Sequence, residues 1–282
     1  ALEVQNFTTA TDNYNIAVGF AAGQSVTTGV YNTLIGGLSG DSLTAGHENV
    51  AVGMSSLGAD TLGRRSVAIG YQALTHQNFT SETNALNTAV GYASGSAVTT
   101  GTENTLIGAL SGDALTGGTQ NVAVGTYALT ADTNGNKSVA VGRLALYSQN
   151  FTSSTDTFST AVGYGAGQGI TTGDNNTFLG GLAGYATTTG IQNVAVGRSA
   201  FQNNTTDAIT TGTYNTAIGH NALTTDTASV ATVAIGTGSL NSQNITGYSY
   251  NTAIGLSAGG QITSGKRHTI VGANAGVNIT TA

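Results

Sequence analysis

The sequence predicts an all-β chain, a parallel β-solenoid (β-roll) of about fifteen coils, and three observations carry that expectation. A pentapeptide Asn/Ser–Thr/Val–Ala/Leu–Val/Ile–Gly recurs from end to end, its Gly falling at 19, 36, 53, 70, 91, 108, 125, 142, 163, 180, 197, 219, 236, 255 and 272. Most of these glycines are 17 residues apart, and every fourth interval is 21 as far as Gly163, which gives a 72-residue superperiod that loosens after Gly197. The composition fits: 42 Gly, no Pro and only 7% charged residues, against roughly 25% charged in an ordinary soluble domain. A fixed period of this size means one small unit stacked on its neighbours, each burying the next. The repeat covers residues 1–282 as a single repetitive domain.

Each part of the coil has a physical reading. Val, Ile and Thr stiffen the pentapeptide as a short strand, and the closing Gly permits a tight bend or close backbone approach. A second run follows, such as the SVTTG ending at Gly29 or the AVTTG ending at Gly101, and is expected to form a second short strand. Two strands and two bends make one flattened turn, and turns stack at the ~4.8 Å strand spacing. Helix is disfavoured because Thr, Gly, Asn and β-branched residues are weak helix formers.

Equivalent positions of successive coils form columns. The residue four before the motif Gly is Asn in ten coils, Asn32, Asn49, Asn104, Asn121, Asn176 and Asn193 among them, with Ser66, Ser138, Ser159, Thr232 and His268 in the remaining five. Stacked amides can hydrogen-bond from coil to coil, as in cross-β ladders. The Val, Ile or Leu just before the Gly is expected to be an interior column. The position between, which includes Ala51, Ala68, Ala123, Ala140 and Ala195, would then face the other way, although it too is apolar. An exposed apolar column is unusual on a soluble monomer, so this one is expected to meet the same face of sister chains, with Leu34, Leu106 and Phe178 filling gaps once per superperiod. Shielding by turn residues is the other reading.

The motifs SVAIGYQAL (66–74), NTAVGYASG (87–95) and NVAVGTYAL (121–129) resemble the head repeats of trimeric autotransporter adhesins. Coils with TTG insertions, as in 87–108, are also similar to repeats of phage tail fibres and other surface fibres. The resemblance implies a left-handed parallel roll associating as a trimer. It supplies no catalytic residue. The coils here are longer than the autotransporter repeat, and no heptad stalk, neck or anchor barrel is visible in the sequence.

Other classes fall away. Disorder needs few apolar residues, and 39% are apolar here; collagen needs Pro and a three-residue Gly period. No apolar run approaches the ~18 residues of a membrane span, and no signal-peptide pattern is visible. The seven basic residues are scattered and the net charge is −6, which argues against nucleic acid. With no Cys there is no disulfide, thiolate nucleophile or Cys-based zinc site.

No cofactor, metal or catalytic residue is expected. Asp41 and Asp113 are 72 apart, as are Asp60 and Asp132, and Glu48 shares its phase with Gln120 and Gln192; all read as solvated turn positions rather than a general acid/base pair. His47, His76, His220 and His268 lack a paired-ligand spacing. GYGAGQG (163–169) has no Lys after it and reads as a roll turn, not a phosphate loop.

Three features could touch a partner. QNFT at 5–8, 77–80 and 149–152, with QNIT at 243–246, sits in longer coils whose extra residues should bulge outward. Its Asn78 and Asn150 are formal glycosylation acceptors, though turns are the favoured reading. Phe20, Tyr92 and Tyr164 follow a motif Gly at 72-residue intervals, as rim aromatics or as packing. Thr pairs such as Thr27/Thr28 recur in phase, but the intervening turns break the flat array an ice-binding face would need.

The expected role is that of a non-enzymatic surface fibre or adhesin head, extracellular or on a cell or virion surface, presenting repeated loops to a host glycan or protein receptor. It would be a homotrimer or a head-to-tail homopolymer, without direct membrane insertion. A self-assembling filament subunit is the alternative; a fibre depolymerase and an ice-binding solenoid rank lower. Residues 5–19 align with 77–91 and no capping element is evident, so the ends are expected to continue into more protein or to be covered by other chains.

Overall fold

The computed structural model describes residues 1–202 and 211–281 and contains no helix among them. The fold is a parallel β-solenoid of about fifteen coils, each carrying one three-residue strand directly before its motif Gly. Two compact units are present: residues 1–138 with 151–155, and residues 139–150 with 156–282.

In the first unit the strands from Ile16–Val18 to Val122–Val124 pair in parallel, in the register Ala17↔Leu34↔Ala51↔Ala68↔Ala89↔Leu106↔Ala123. In the second, the strands from Val139–Val141 to Thr269–Val271 pair as Ala140↔Ala161↔Phe178↔Ala195↔Ala217↔Ala234↔Ala253↔Ile270. The longer coils closed by Gly91, Gly163 and Gly255 keep this register, so their extra residues are accommodated away from the strand.

The expected second strand is absent from most of the described coils. The TTG run is a bend in which the amides of Thr27, Thr28 and Gly29 all donate to the carbonyl of Thr44, at 2.9, 3.3 and 3.2 Å. Three donors converging on one oxygen require a curled backbone rather than an extended one. Among the described residues, a second strand forms where a 17-residue coil is followed by a longer one, as in Gly63–Arg64 with Thr83–Asn84 and Ala228–Val230 with Thr246–Tyr248.

The facing of the strand is the reverse of the expectation. Ala51, Ala68, Ala123, Ala140 and Ala195 are completely buried within their own chain and cannot form an inter-chain face. The Val/Ile column before the Gly points out instead, with Ile35, Ile69, Ile107, Leu179, Ile218 and Ile254 all partly in solvent.

Core volume explains why the inward residue is small. Where it is Ala, the residue four after the motif Gly is often large: Leu57, Leu74, Leu129, Leu146, Phe201, Leu223 and Leu240 are buried there. Where it is large, that position is Gly. A Cβ on Gly23 or Gly40 would lie 2.7 Å from Leu34, and one on Gly112 would lie 2.7 Å from Leu106. Leu34, Leu106 and Phe178 therefore fill gaps inside the chain, as close-packed interiors require, and not between chains. The motif glycine is constrained by its backbone: Gly108 has φ +129°, and its missing Cβ would sit 2.7 Å from the carbonyl carbon of Gly125, so coils approach closely only without a side chain there.

Candidate functional site

The Asn column points inward with the Ala column and is buried at Asn32, Asn49, Asn104, Asn121, Asn176 and Asn193. Its bonds are mainly to backbone rather than between stacked amides. Asn104 Nδ2 donates to the Gly118 carbonyl at 2.9 Å, while Asn104 Oδ1 accepts from the Asn121 amide at 3.0 Å. Asn49 does the same with Gly63 and Ser66, and Asn176 with Gly190 and Asn193. Each side chain thus satisfies a carbonyl at the far bend and an amide of the following coil, both of which lie where water cannot reach.

The outer surface of the strands carries an apolar column beside one rich in Thr. The position before each motif Gly is Val, Ile or Leu in all fifteen coils, and the position two earlier, on the same outward face, is Val, Ile or Thr. Aromatic side chains flank this face. Tyr92 is 56% exposed and stacks on Tyr71 with ring centroids 5.5 Å apart; Tyr164 is also exposed and lies under the Arg143 guanidinium at 5.8 Å. Phe20 is the most exposed of the series.

The QNFT segments alternate instead of simply bulging outward. Gln77 and Phe79 are buried while Asn78 is exposed, and Gln243 and Ile245 are buried while Asn244 is exposed. Asn78 Oδ1 accepts from Thr61 Oγ1 at 3.2 Å; Asn150 is exposed.

The carboxylates divide. Glu48 is on the surface, and its bond from Arg65 Nε at 2.6 Å holds its pKa below the ordinary value. Asp41 and Asp113 are partly buried and raised by that burial, Asp113 accepting from Thr130 at 2.7 Å. Asp60 and Asp132 are fully buried, which corrects their reading as solvated turn positions. Asp60 Oδ1 caps a loop by accepting from the amides of Gly63 and Phe79 at 3.0 and 3.2 Å. Its Oδ2 accepts from Gln77 Nε2 at 2.6 Å.

A second buried cluster has the same parts. Asp226 Oδ1 accepts from the amides of Ser229 and Ile245, at 3.3 and 3.4 Å, and Oδ2 from the Ser229 hydroxyl and from Gln243 Nε2, the latter at 3.2 Å. Burial pushes the Asp226 pKa up to about 6 and that of Asp60 in the same direction. The sequence signal of these clusters was a conjunction: Ser or Thr in place of the ladder Asn, Asp six residues before it and Gln eleven after it, found at Asp60/Ser66/Gln77, Asp132/Ser138/Gln149 and Asp226/Thr232/Gln243.

No group of three His, Asp or Glu side chains able to hold a metal ion exists among the described residues, and no helix there is long and apolar enough to cross a membrane. Comparison with protein-family models, curated proteins and solved structures finds no match to this chain.

Proposed function

We propose that this chain is a segment of a non-enzymatic surface fibre, adhesin-like, that associates as a homotrimer through the outward face of its strands. The observation that carries this reading is the unbroken run of Val, Ile and Leu before the motif glycines, all outward. A parallel sheet is ordinarily covered on both faces, and extended apolar patches mark interaction surfaces. The stacked tyrosines and outward loops would stay free for a receptor on a host surface. Repetition supports the reading too, because contact spread over many equivalent positions suits avid attachment better than catalysis does.

Analytical ultracentrifugation with two variants tests it. Ile107→Asp places a charge on the outward face and is expected to give folded monomers from a trimeric wild type. Ala123→Glu buries an unpaired carboxylate in the coil interior and is expected to abolish folding outright. A monomeric wild type, or a trimer unmoved by Ile107→Asp, removes the basis for the assembly. Indefinite fibres in electron micrographs would favour a filament subunit over a discrete adhesin head.

A further inference from the structure

The two buried clusters contain every group needed for a covalent bond that the chain could make in itself. In the first, Ser66 Oγ lies 3.0 Å from Gln77 Nε2 and 3.4 Å from Gln77 Oε1, against the carboxamide of that residue. Asn87 Nδ2 donates to Gln77 Oε1 at 2.9 Å, and Asp60 Oδ2 accepts from Gln77 Nε2 at 2.6 Å. In the second, Gln243 Nε2 lies 3.2 Å from Thr232 Oγ1 and 3.2 Å from Asp226 Oδ2, while Asn251 Nδ2 donates to Gln243 Oε1 at 2.7 Å. Hydroxyl, carboxamide, amide donor and carboxyl are sealed from solvent in both. The two clusters belong to separate compact units, and the same four groups meet in each.

We propose that these clusters form intramolecular ester cross-links, Ser66 to Gln77 and Thr232 to Gln243, each formed with the release of one molecule of ammonia. The hydroxyl oxygen attacks the carboxamide carbon once the amide turns its face toward it about the Cγ–Cδ bond. The carbonyl electron pair moves onto Oε1, where the Asn amide is placed to stabilise the developing charge. The carboxyl of Asp60 or Asp226 protonates Nε2. The C=O bond re-forms as the C–N bond breaks, ammonia leaves, and the hydroxyl proton returns to the Asp. Atoms balance without oxidant or cofactor: alcohol and primary amide give ester and ammonia.

Local environment favours each step. Burial holds the Asp carboxyl toward its protonated form, as a general acid for the departing nitrogen requires. The reacting groups are fixed on neighbouring segments, so little orientational freedom is left to lose. Once ammonia has escaped, the absence of water at the cluster protects the ester from hydrolysis. A chain with no cysteine has no disulfide with which to lock its coils. The Ser or Thr stands where the regular coils carry Asn, and the carboxamide stands where that Asn would have reached, so the cross-link would replace a lost hydrogen-bond ladder with a covalent tie.

The test is the intact mass of the purified full-length chain under denaturing conditions, followed by peptide mapping. A mass short of the sequence mass by at least two molecules of ammonia is expected, with peptides joined from Ser66 to Gln77 and from Thr232 to Gln243 and opened by hydroxylamine. Ser66→Ala should restore one ammonia and free its peptides, while Ser66→Thr, which keeps the nucleophile found at the second cluster, should retain the link. Asp60→Asn keeps a polar partner for Gln77 but removes the acid, and should slow linkage at that cluster alone. An unshifted wild-type mass overturns the proposal. So does an ammonia loss that maps to single unlinked peptides, as an Asn succinimide would give.

Discussion

Two kinds of coil stack in the same register and solve one problem differently. In a 17-residue coil such as the one closed by Gly108, Asn104 spans the interior and satisfies a bend carbonyl and the next coil's amide with one side chain. In the coil closed by Gly70, Ser66 is too short to do so, and the longer coil that follows, closed by Gly91, sends Gln77 back into the space with Asp60 behind it. The difference shows that the ladder is a requirement of the buried backbone and not of Asn as such. Any set of side chains that pairs those groups keeps the stack, here at the expense of a buried carboxyl from the coil before the longer one.

What the two kinds share is the motif glycine, and the largest effect is expected there. Gly108→Ala forces an L residue to φ +129° and drives Cβ into the backbone of the next coil. The neighbour is backbone and cannot yield cheaply, so a loss of more than ~4 kcal/mol is expected, in the exceptional range for a point change. Urea unfolding would measure it. A loss under ~1 kcal/mol would mean that coil spacing adapts, and the contrast between the two coil types would lose its common frame.

Next in size is the ladder itself. Asn104→Ala leaves the Gly118 carbonyl and the Asn121 amide buried without this partner, at about 1–3 kcal/mol for each orphaned group. Gln77→Ala should cost at least as much, because it takes a buried partner from Asp60 Oδ2, Ser66 Oγ and Asn87 Nδ2 together. A markedly cheaper Gln77→Ala would show that the long-coil cluster is dispensable for stability and would sharpen the contrast.

Much of this was legible beforehand, and the failures are specific. The period, the strand before each motif Gly and the parallel stacking followed from the recurring pentapeptide and its spacing, whereas the strand expected in the TTG run did not. The facing of the strand did not, because the columns on both sides are apolar and alternation carried no sign. A sign was available one step further on. The residue three before the motif Gly is Thr in eight of fifteen coils and shares a face with the Val/Ile column, which marks that face as outward. The pairing of Ala with Leu, and of Leu34 or Phe178 with Gly, needed a comparison of volumes between positions six residues apart. Gln77 and Gln243 were hidden because a polar motif in a longer coil reads as loop, although its alternation buries every second side chain.

Acidity separates the two coil types more gently. Asp226 titrates near 6 when folded, against 3.8 for an ordinary Asp. The folded state therefore keeps a proton that the unfolded state has released, and stability falls as pH rises from about 4 through about 6, then levels off. At most ~3 kcal/mol is involved. Asp60 and Asp113 shift the same way. Urea midpoints measured between pH 4 and pH 7 should decline, and Asp226→Asn should flatten the curve; an unchanged slope in that variant would assign the effect elsewhere.

The smallest effect is expected at the surface beside the long coil. Arg65 lies in the left-handed region at φ 60°, and its Nε donates to Glu48 Oε2 at 2.6 Å across a solvent-exposed gap. Water and salt screen such a pair, and two long side chains lose freedom in forming it. Arg65→Ala should leave the melting temperature nearly unchanged, and added salt should not distinguish it from wild type. The Glu48 carboxyl, held below its ordinary pKa by that bond, should return toward it in the variant, a shift that carbon-detected NMR titration would read. If Arg65→Ala instead melted far below wild type, the backbone turn before Ser66 would depend on this ion pair. The ladder break would then be held from outside the coil and not by Gln77 within it.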